Sequence, residues 1–274
     1  MTAKLDAEHI RKLISAPTQE QNDTLEVFAE IESTNSYLMG QQAPTPGRFR
    51  VALAEHQTAG RGRMERRWHS PGRTGLCLSM CYTFARRPEL LSCLTLTIGV
   101  GVVEALERLG VHDVGLKWPN DLVFQDGKLG GILTEVKPGA GNEVAIVTGV
   151  GINYDLRDSP DARQIVTRLG NVSDLASNLQ ELPSRNRLAA ALIDEIFNAF
   201  ADFATDGFGN TAAAWERHDW LRGQKVSVDQ GEGQLKGVCQ GIDADGALIL
   251  LTGAGRRRIT SGSVSFAGES GGVS

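Results

Sequence analysis

Apolar positions along this chain change their spacing several times, and each change marks an element. From Leu25, "TLEVFAEIEST" predicts a strand running into a turn. "STNSYLMG" follows as a helix start, with Ser33 or Thr34 as the N-cap. "RVALAEHQT" and "GLCLSMCYTF" predict two more strands, and in the second Cys77, Ser79 and Cys81 share one face. "LLSCLTLTIGVGVVEALERLG" predicts a long helix ending at Gly110. Ser, Thr and Gly interrupt its apolar run and "EALERL" closes it, so a buried helix is expected, not a membrane span.

"VGLKWPNDLVF", "KLGGILTEV" and "EVAIVTGVGINY" are three strand candidates joined by Gly-rich turns. "QDGK" reads as a hairpin turn, because Asp-Gly tolerates positive φ. Leu188, Leu192, Ile196, Phe200 and Phe203 recur at helical spacing, as an ordinary core stripe does. "TAAAWERHDWLRG" predicts a last helix, with Trp215 and Trp220 as packing residues.

Before Leu25 the only element expected is one short helix at "HIRKLI". A helix-turn-helix DNA-binding domain needs several packed elements. After Leu221 the texture changes to "QKVSVDQ", "GQLKGVCQGID", "GALILL", "GRRRITSG" and "SVSFAG", short strands between Gly turns that suggest a small barrel. The expected fold is therefore α+β: a mixed β-sheet domain packed with helices, followed by a small all-β barrel. Its boundaries are a short extension over 1–24, the main domain over 25–219, the barrel over 220–268 and a disordered tail over 269–274. A doubly wound parallel sheet fits less well, since several strands follow each other through short turns.

The chain has 274 residues and 41% hydrophobic content, enough for one large domain with a small one beside it. Its net charge of −5 argues against a general nucleic-acid binder, which is usually basic. Against that background "GRGRMERRWHS", Gly60 to Ser70, concentrates four arginines and a single acid. Guanidiniums fork onto phosphate or carboxylate oxygens, and Gly60 and Gly62 let backbone amides face an anion. The partner expected is a small anion; the alternative is a solvated basic loop. No GxxxxGK[ST] and no strand-linked GxGxxG occurs. Cys77, Cys81, Cys93 and Cys239 lack paired zinc-ligand spacing and read as reduced, buried thiols of a cytoplasmic protein. "MTAKLDAEHIRKL" carries charges throughout and is not a signal peptide.

Three further stretches carry candidate chemistry. In "KWPNDLVFQDGKLGGIL", Lys117, Asn120 and Asp121 flank a Trp-Pro pair, and Lys128 follows the turn at the same sheet end. A lysine there can stabilise charge on a phosphate and a carboxylate can accept a proton; an ordinary surface pair is the alternative. Ser33, Thr34 and Asn35 offer hydroxyls and an amide to a neutral polar ligand, or cap a helix. The glycines of "GVGIN", Gly149 to Asn153, permit close approach of a ligand or mark a bulge.

Taken in order, "ESTN", "QTAGRGR…W.SP", "KWPNDL", "GKLGGIL.E" and "GVGIN" resemble the pattern of biotin–protein ligases, over roughly Ile31 to Asn153 and more weakly through "WERHDW" into the barrel. The resemblance implies formation of biotinyl-5′-adenylate from biotin and ATP, then transfer of biotin to a lysine of a biotin carboxyl carrier domain of acetyl-CoA carboxylase or a related enzyme. It implies catalytic roles for Lys128, Arg61, Arg63 and Asp121. Ser33, Thr34, Asn35, Gln57, Gly60, Arg61, Gly62, Arg63 and Lys128 match biotin-binding positions. Arg63, Arg66, Trp68, Lys117, Asn120 and Lys128 match ATP or adenylate positions. Mg²⁺ is expected on the ATP phosphates.

Many members carry a glycine where this chain has Glu65. Some bacterial members repress transcription through an N-terminal DNA-binding domain; no such role is expected here, and neither nucleic acid nor membrane is expected as a partner. A homodimer through a sheet edge stays open. The rival readings are a lipoate–protein ligase, a catalytically inactive biotin-binding module, and a nucleic-acid module using Arg256 to Arg258. The full "GRGR" loop with "KWPND…GKLGG" favours biotin, and those last arginines read as a solvated strand end.

Overall fold

The structure, a computed structural model, describes residues 3–69, 72–137, 142–157, 171–231 and 233–266. Seven strands build a mixed sheet: β1 (Asn22–Phe28), β2 (Phe49–Ala54), β3 (Gly75–Phe84), β4 (Gly115–Lys117), β5 (Asp121–Phe124), β6 (Gly127–Lys137) and β7 (Val144–Asn153). Their order is β1-β2-β3-β7-β6-β5-β4. Only β1 and β2 run parallel; every other neighbour pair is antiparallel.

The two faces of this sheet have different jobs, and β3 shows why. Its residues Leu76, Leu78, Met80, Tyr82 and Phe84 enter the main hydrophobic core. Cys77, Ser79 and Cys81 point the other way, as the period of two requires. In chain order the helices are α1 (Ala7–Leu13), α2 (Ala16–Gln21), α3 (Thr34–Gly40), α4 (Leu94–Arg108), α5 (Arg185–Asp206) and α6 (Gly209–His218). The helix in the β1–β2 crossover is α3. Helices α4 and α5 cover the core face, and the stripe Leu188, Leu192, Ile196, Phe200 and Phe203 is buried there. The Tyr82 and Phe200 rings stack at 4.9 Å. On the opposite face α3 packs Leu38 against Ala52, Cys81, Ala145 and Val147, and leaves the rest of that face open.

The N-terminal residues form two helices where one was expected. Asp6 caps α1 by accepting from His9 N at 2.7 Å, and Pro17 sits in the first turn of α2, where its missing N–H costs nothing. Ile10 is fully buried in the main core, and Leu5 N donates to Glu55 Oε1 at 2.7 Å. "VGLKWPNDLVF" is two strands, not one. Pro119 cannot donate to a ladder, and the chain reverses across Trp118–Asn120 so that Lys117 pairs with Asp121. The β5–β6 turn is also shifted by one residue from the Asp-Gly expectation. Gln125 (φ 49°) and Asp126 (φ 60°) are its central residues, and Gly127 already belongs to β6. Glycine is needed at 127 for space: a Cβ there would lie 2.8 Å from Ser173 N.

The C-terminal unit is a five-stranded antiparallel sheet of β8 (Lys225–Asp229), β9 (Gln234–Ile242), β10 (Leu248–Thr252), β11 (Gly255–Ile259) and β12 (Ser263–Phe266), in the order β11-β10-β9-β8-β12. Trp118 Nε1 donates to Gly246 O at 3.0 Å and joins this unit to the β4–β5 turn. Arg256 to Arg258 lie on the edge strand β11, where Arg258 pairs with Asp243 and Asp245. No helix among the described residues is long and apolar enough to cross a membrane. The expected tail over 269–274, and Ser70 and Pro71 of the "W.SP" motif, fall outside the described residues.

Candidate active site

The open part of the second sheet face is a cavity of about 600 Å³, walled by α3, the Gly/Arg loop, β5–β7 and the C-terminal sheet. Its floor is a chain of neutral polar groups. Ser33 is the N-cap of α3, its hydroxyl accepting from Ser36 N at 3.4 Å. That start aims the next two side chains at the sheet. Thr34 N and Oγ1 donate to Gln57 Oε1 at 2.8 and 3.1 Å, and Thr34 Oγ1 lies 2.7 Å from Ser79 Oγ. Ser79 Oγ donates to Asn35 Oδ1 at 2.6 Å. Helix capping and site lining, weighed as alternatives for "STN", coexist: Ser33 caps α3 and also lines the cavity with Thr34 and Asn35.

The glycines of β7 make room for this floor. A Cβ on Gly149 would lie 2.3 Å from Asn35 Oδ1, and one on Gly151 would lie 2.4 Å from the Trp68 ring. The β3–β7 register runs without a bulge, so close approach is their reason.

The Gly/Arg loop folds back on itself over the cavity. Gly62 N donates to Arg66 O at 2.7 Å and Trp68 N to Gly60 O at 3.0 Å. A Cβ on Gly60 would strike Trp68 O at 2.5 Å. At the tip Met64 (φ 54°) and Glu65 (φ 61°) are both left-handed. Arg66 Nη2 donates to Ser263 Oγ at 3.3 Å, so the tip leans on β12, while Arg67 Nη2 donates to Thr58 O at 2.6 Å within the loop.

Among the cations that line the cavity, Arg61, Arg63 and Lys128 each meet a partner across it. Arg61 makes a two-pronged contact with Glu135, Nη2 to Oε1 at 2.8 Å and Nη1 to Oε2 at 3.1 Å. Arg63 Nη1 donates to Asn120 Oδ1 at 3.1 Å; burial pulls its ionisation below that of a free guanidinium, and Asp121 opposes the shift. Lys128 Nζ lies 2.8 Å from Asp121 Oδ1. Lys117 lines the same wall. Asn120 Nδ2 donates to Ile132 O at 2.9 Å, which fixes its amide so that the oxygen meets Arg63. Among the described residues no group of three or more His, Cys, Asp or Glu could hold a metal ion.

The sequence reasoning missed four contributors. Ser79 is the link between Thr34 and Asn35. Glu135 receives both Arg61 and Asn35, whose Nδ2 donates to its Oε2 at 3.0 Å. Trp220, read as packing, stands with Phe266 at a ring distance of 5.0 Å in the cavity wall. Two signals were available: Ser79 alternates with Cys77, and Glu135 keeps the parity of Gly131 and Leu133. Nothing local marks Trp220 and Phe266, which meet only when the C-terminal sheet docks.

One sheet face thus carries a hydrogen-bonding floor beside a cluster of cations. Residues 27–153 match the Biotin/lipoate A/B protein ligase family, and residues 222–267 match the Biotin protein ligase C terminal domain. The chain is 37% identical over 226 residues to the bifunctional ligase/repressor BirA of Escherichia coli, covering 82% of this chain and 68% of that protein. It is 32% identical over 249 residues to the biotin–[acetyl-CoA-carboxylase] ligase of Mycobacterium tuberculosis, covering 88% of each. The biotin protein ligase of Aquifex aeolicus, solved in complex with biotin and ATP, superposes with a TM-score of 0.72 at 27% identity, covering 90% of this chain and 98% of that one. The chain belongs to the biotin protein ligase family.

Proposed function

We propose that this chain is an ATP-dependent biotin–protein ligase acting in two steps on one cavity. The observation that carries this reading is that the neutral floor of Thr34, Asn35, Gln57 and Ser79 adjoins the three cations Arg61, Arg63 and Lys128. Such a floor suits an uncharged head group needing a few placed hydrogen bonds. Such cations suit two anions that must approach each other.

In the first step a biotin carboxylate oxygen attacks the α-phosphorus of ATP. The new P–O bond forms, the α–β bond breaks, and pyrophosphate leaves with its electron pair. Arg63 and Lys128 neutralise charge on the phosphates and Arg61 serves the carboxylate side. Magnesium enters with the triphosphate as part of that substrate. The loop and Trp68 shield the mixed anhydride from water. In the second step the ε-amine of a lysine on a biotin carboxyl carrier domain attacks the acyl carbon, an amide forms and AMP leaves. A free lysine is protonated at neutral pH, so a base is required; Asp121, beside Lys128 in the cavity wall, is the residue this reading assigns to it.

Biotin-dependent exchange of pyrophosphate into ATP tests the first step. Exchange with biotin, none with lipoate, and its loss in Lys128→Ala are expected. Exchange driven by lipoate would move the chain to the sister activity, and binding of biotin without exchange would mark an inactive module.

A further inference from the structure

Glu135 is bonded to both halves of the site at once. Its Oε1 accepts from Arg61 Nη2, and its Oε2 accepts from both Arg61 Nη1 and Asn35 Nδ2. Arg61 belongs to the Gly/Arg loop and Asn35 to the head-group floor, 26 positions apart in sequence. We propose that Glu135 is a positioning residue that couples closure of the Gly/Arg loop to the set of the head-group floor. The proposal rests on the ligase reading for what the floor and the loop bind.

The hydrogen inventory shows how the coupling works. A carboxylate accepts on both oxygens and donates nothing, so it serves Arg61 and Asn35 together. Asn35 Nδ2 also donates to Leu133 O at 3.2 Å, so its oxygen is left to face Ser79. Ser79 spends its single hydrogen on that oxygen, so the one hydroxyl hydrogen of Thr34 is shared between Ser79 Oγ at 2.7 Å and Gln57 Oε1 at 3.1 Å. Thr34 N in turn meets Gln57, three residues before the loop begins at Gly60. The polarity of the whole floor is therefore fixed from the Glu135 end, and its far end returns to the base of the same loop.

An isolated exposed ion pair would carry little of this. Here the pair is two-pronged, Glu135 is only one-fifth exposed, and one of its oxygens is shared with a buried amide. Asn35 itself lies close over Gly149, where an added Cβ would meet its Oδ1 at 2.3 Å. A glutamine at 135 has the same shape but one acceptor and one donor. With its oxygen at the Oε2 place it can still accept from Asn35 and one prong of Arg61, but its amide nitrogen then meets Arg61 Nη2 donor to donor, and the two-pronged contact is lost.

The test is Glu135→Gln in the full chain, read by the KM and kcat for biotin, by the unfolding midpoint, and by tryptic cleavage of the loop. Arg61, Arg63, Arg66 and Arg67 make that loop a ready trypsin substrate. The variant should cleave faster than wild type without ligand, and biotin should protect wild type but not the variant. Loss of one charge-assisted contact should raise KM for biotin about tenfold, with kcat at saturating biotin and the unfolding midpoint nearly unchanged. In an Arg61→Ala background the substitution should then cost little more. Wild-type KM and wild-type protection would overturn the proposal, as would a parallel fall of KM, kcat and midpoint that marks a merely structural role. If wild type itself fails to bind biotin, the ligase reading fails, and the cleavage rate without ligand still decides the coupling. Should the glutamine variant not fold, Glu135→Asp, which keeps the charge but shortens the reach, is expected to move the same readouts in the same direction by less.

Discussion

The Lys128 ammonium lies 2.8 Å from the Asp121 carboxylate, directly above the bare Cα of Gly131. The β5–β6 hairpin sets Lys128 opposite Val123, two residues along the strand from Asp121, and the lysine side chain spans that step. Paired in this way, each group masks the other. On the proposed mechanism, phosphate drawing Lys128 away in the first step would free Asp121 to accept a proton in the second.

The two steps should therefore separate by mutation. Asp121→Asn should keep biotin-dependent pyrophosphate exchange within a few fold of wild type. It should slow transfer from preformed biotinyl-adenylate by about a hundredfold or more, the usual contribution of a general base. Lys128→Ala should do the reverse and lose the exchange first. An equal loss of both steps in Asp121→Asn would contradict this division of roles.

The floor should be intolerant of a single methyl group. In Gly149→Ala the new Cβ would stand 2.3 Å from Asn35 Oδ1, so the Asn35 side chain must leave its place between Ser79 and Glu135. Titration calorimetry should show biotin affinity lower by about tenfold or more, as expected when a placed hydrogen bond in a ligand pocket is lost. Unchanged affinity would show that the ligand does not use this floor.

The loop tip offers a gain. Glu65 holds a left-handed conformation that glycine adopts freely, at the position where many family members carry glycine. Glu65→Gly should remove strain of about 1 kcal/mol from the folded-back loop. Tryptic cleavage of the ligand-free loop should slow as a result. Faster cleavage would mean that the added chain freedom outweighs the relief of strain.

The buried thiols should be inert. Burial pushes Cys81, Cys93 and Cys239 up to about 11 from an ordinary 9.0, so all three stay protonated at pH 8. Alkylation at that pH should label none of them until the chain is unfolded. The sign for stability follows from the same shift. Below pH 9 these thiols are neutral in both states, and above it the unfolded chain ionises first, so folding stability should fall as pH rises from 9 to about 11. Rapid native-state labelling of Cys81 would refute the burial argument.

Residue type and spacing made the cationic side of the site legible. Four arginines among glycines in an acidic chain need an anion, and a lysine just past a hairpin turn returns to the aspartate before it. What escaped sequence reading is what depends on the third dimension. Glu135 looks like one more polar residue of an edge-facing strand until Arg61 and Asn35 converge on it from segments about 74 and 100 residues away. Trp220 reaches the wall by bonding its backbone N–H to Leu116 O at 3.0 Å on β4, and Phe266 joins it only where the C-terminal sheet docks beside Trp118. The two-strand form of "KWPND" was hidden for a local reason: apolar residues on both sides of Trp118-Pro119 imitate one continuous strand, and only the missing proline donor argues otherwise.

The central claim is a covalent product, and one incubation tests it. The purified chain is mixed with ATP, magnesium, biotin and a biotin carboxyl carrier domain, and the carrier is weighed by mass spectrometry. The account predicts a gain of one biotinyl group on a single carrier lysine, no gain with lipoate, and a much reduced gain with the Lys128→Ala chain. A carrier of unchanged mass, with wild-type protein that is folded and binds biotin, would contradict it.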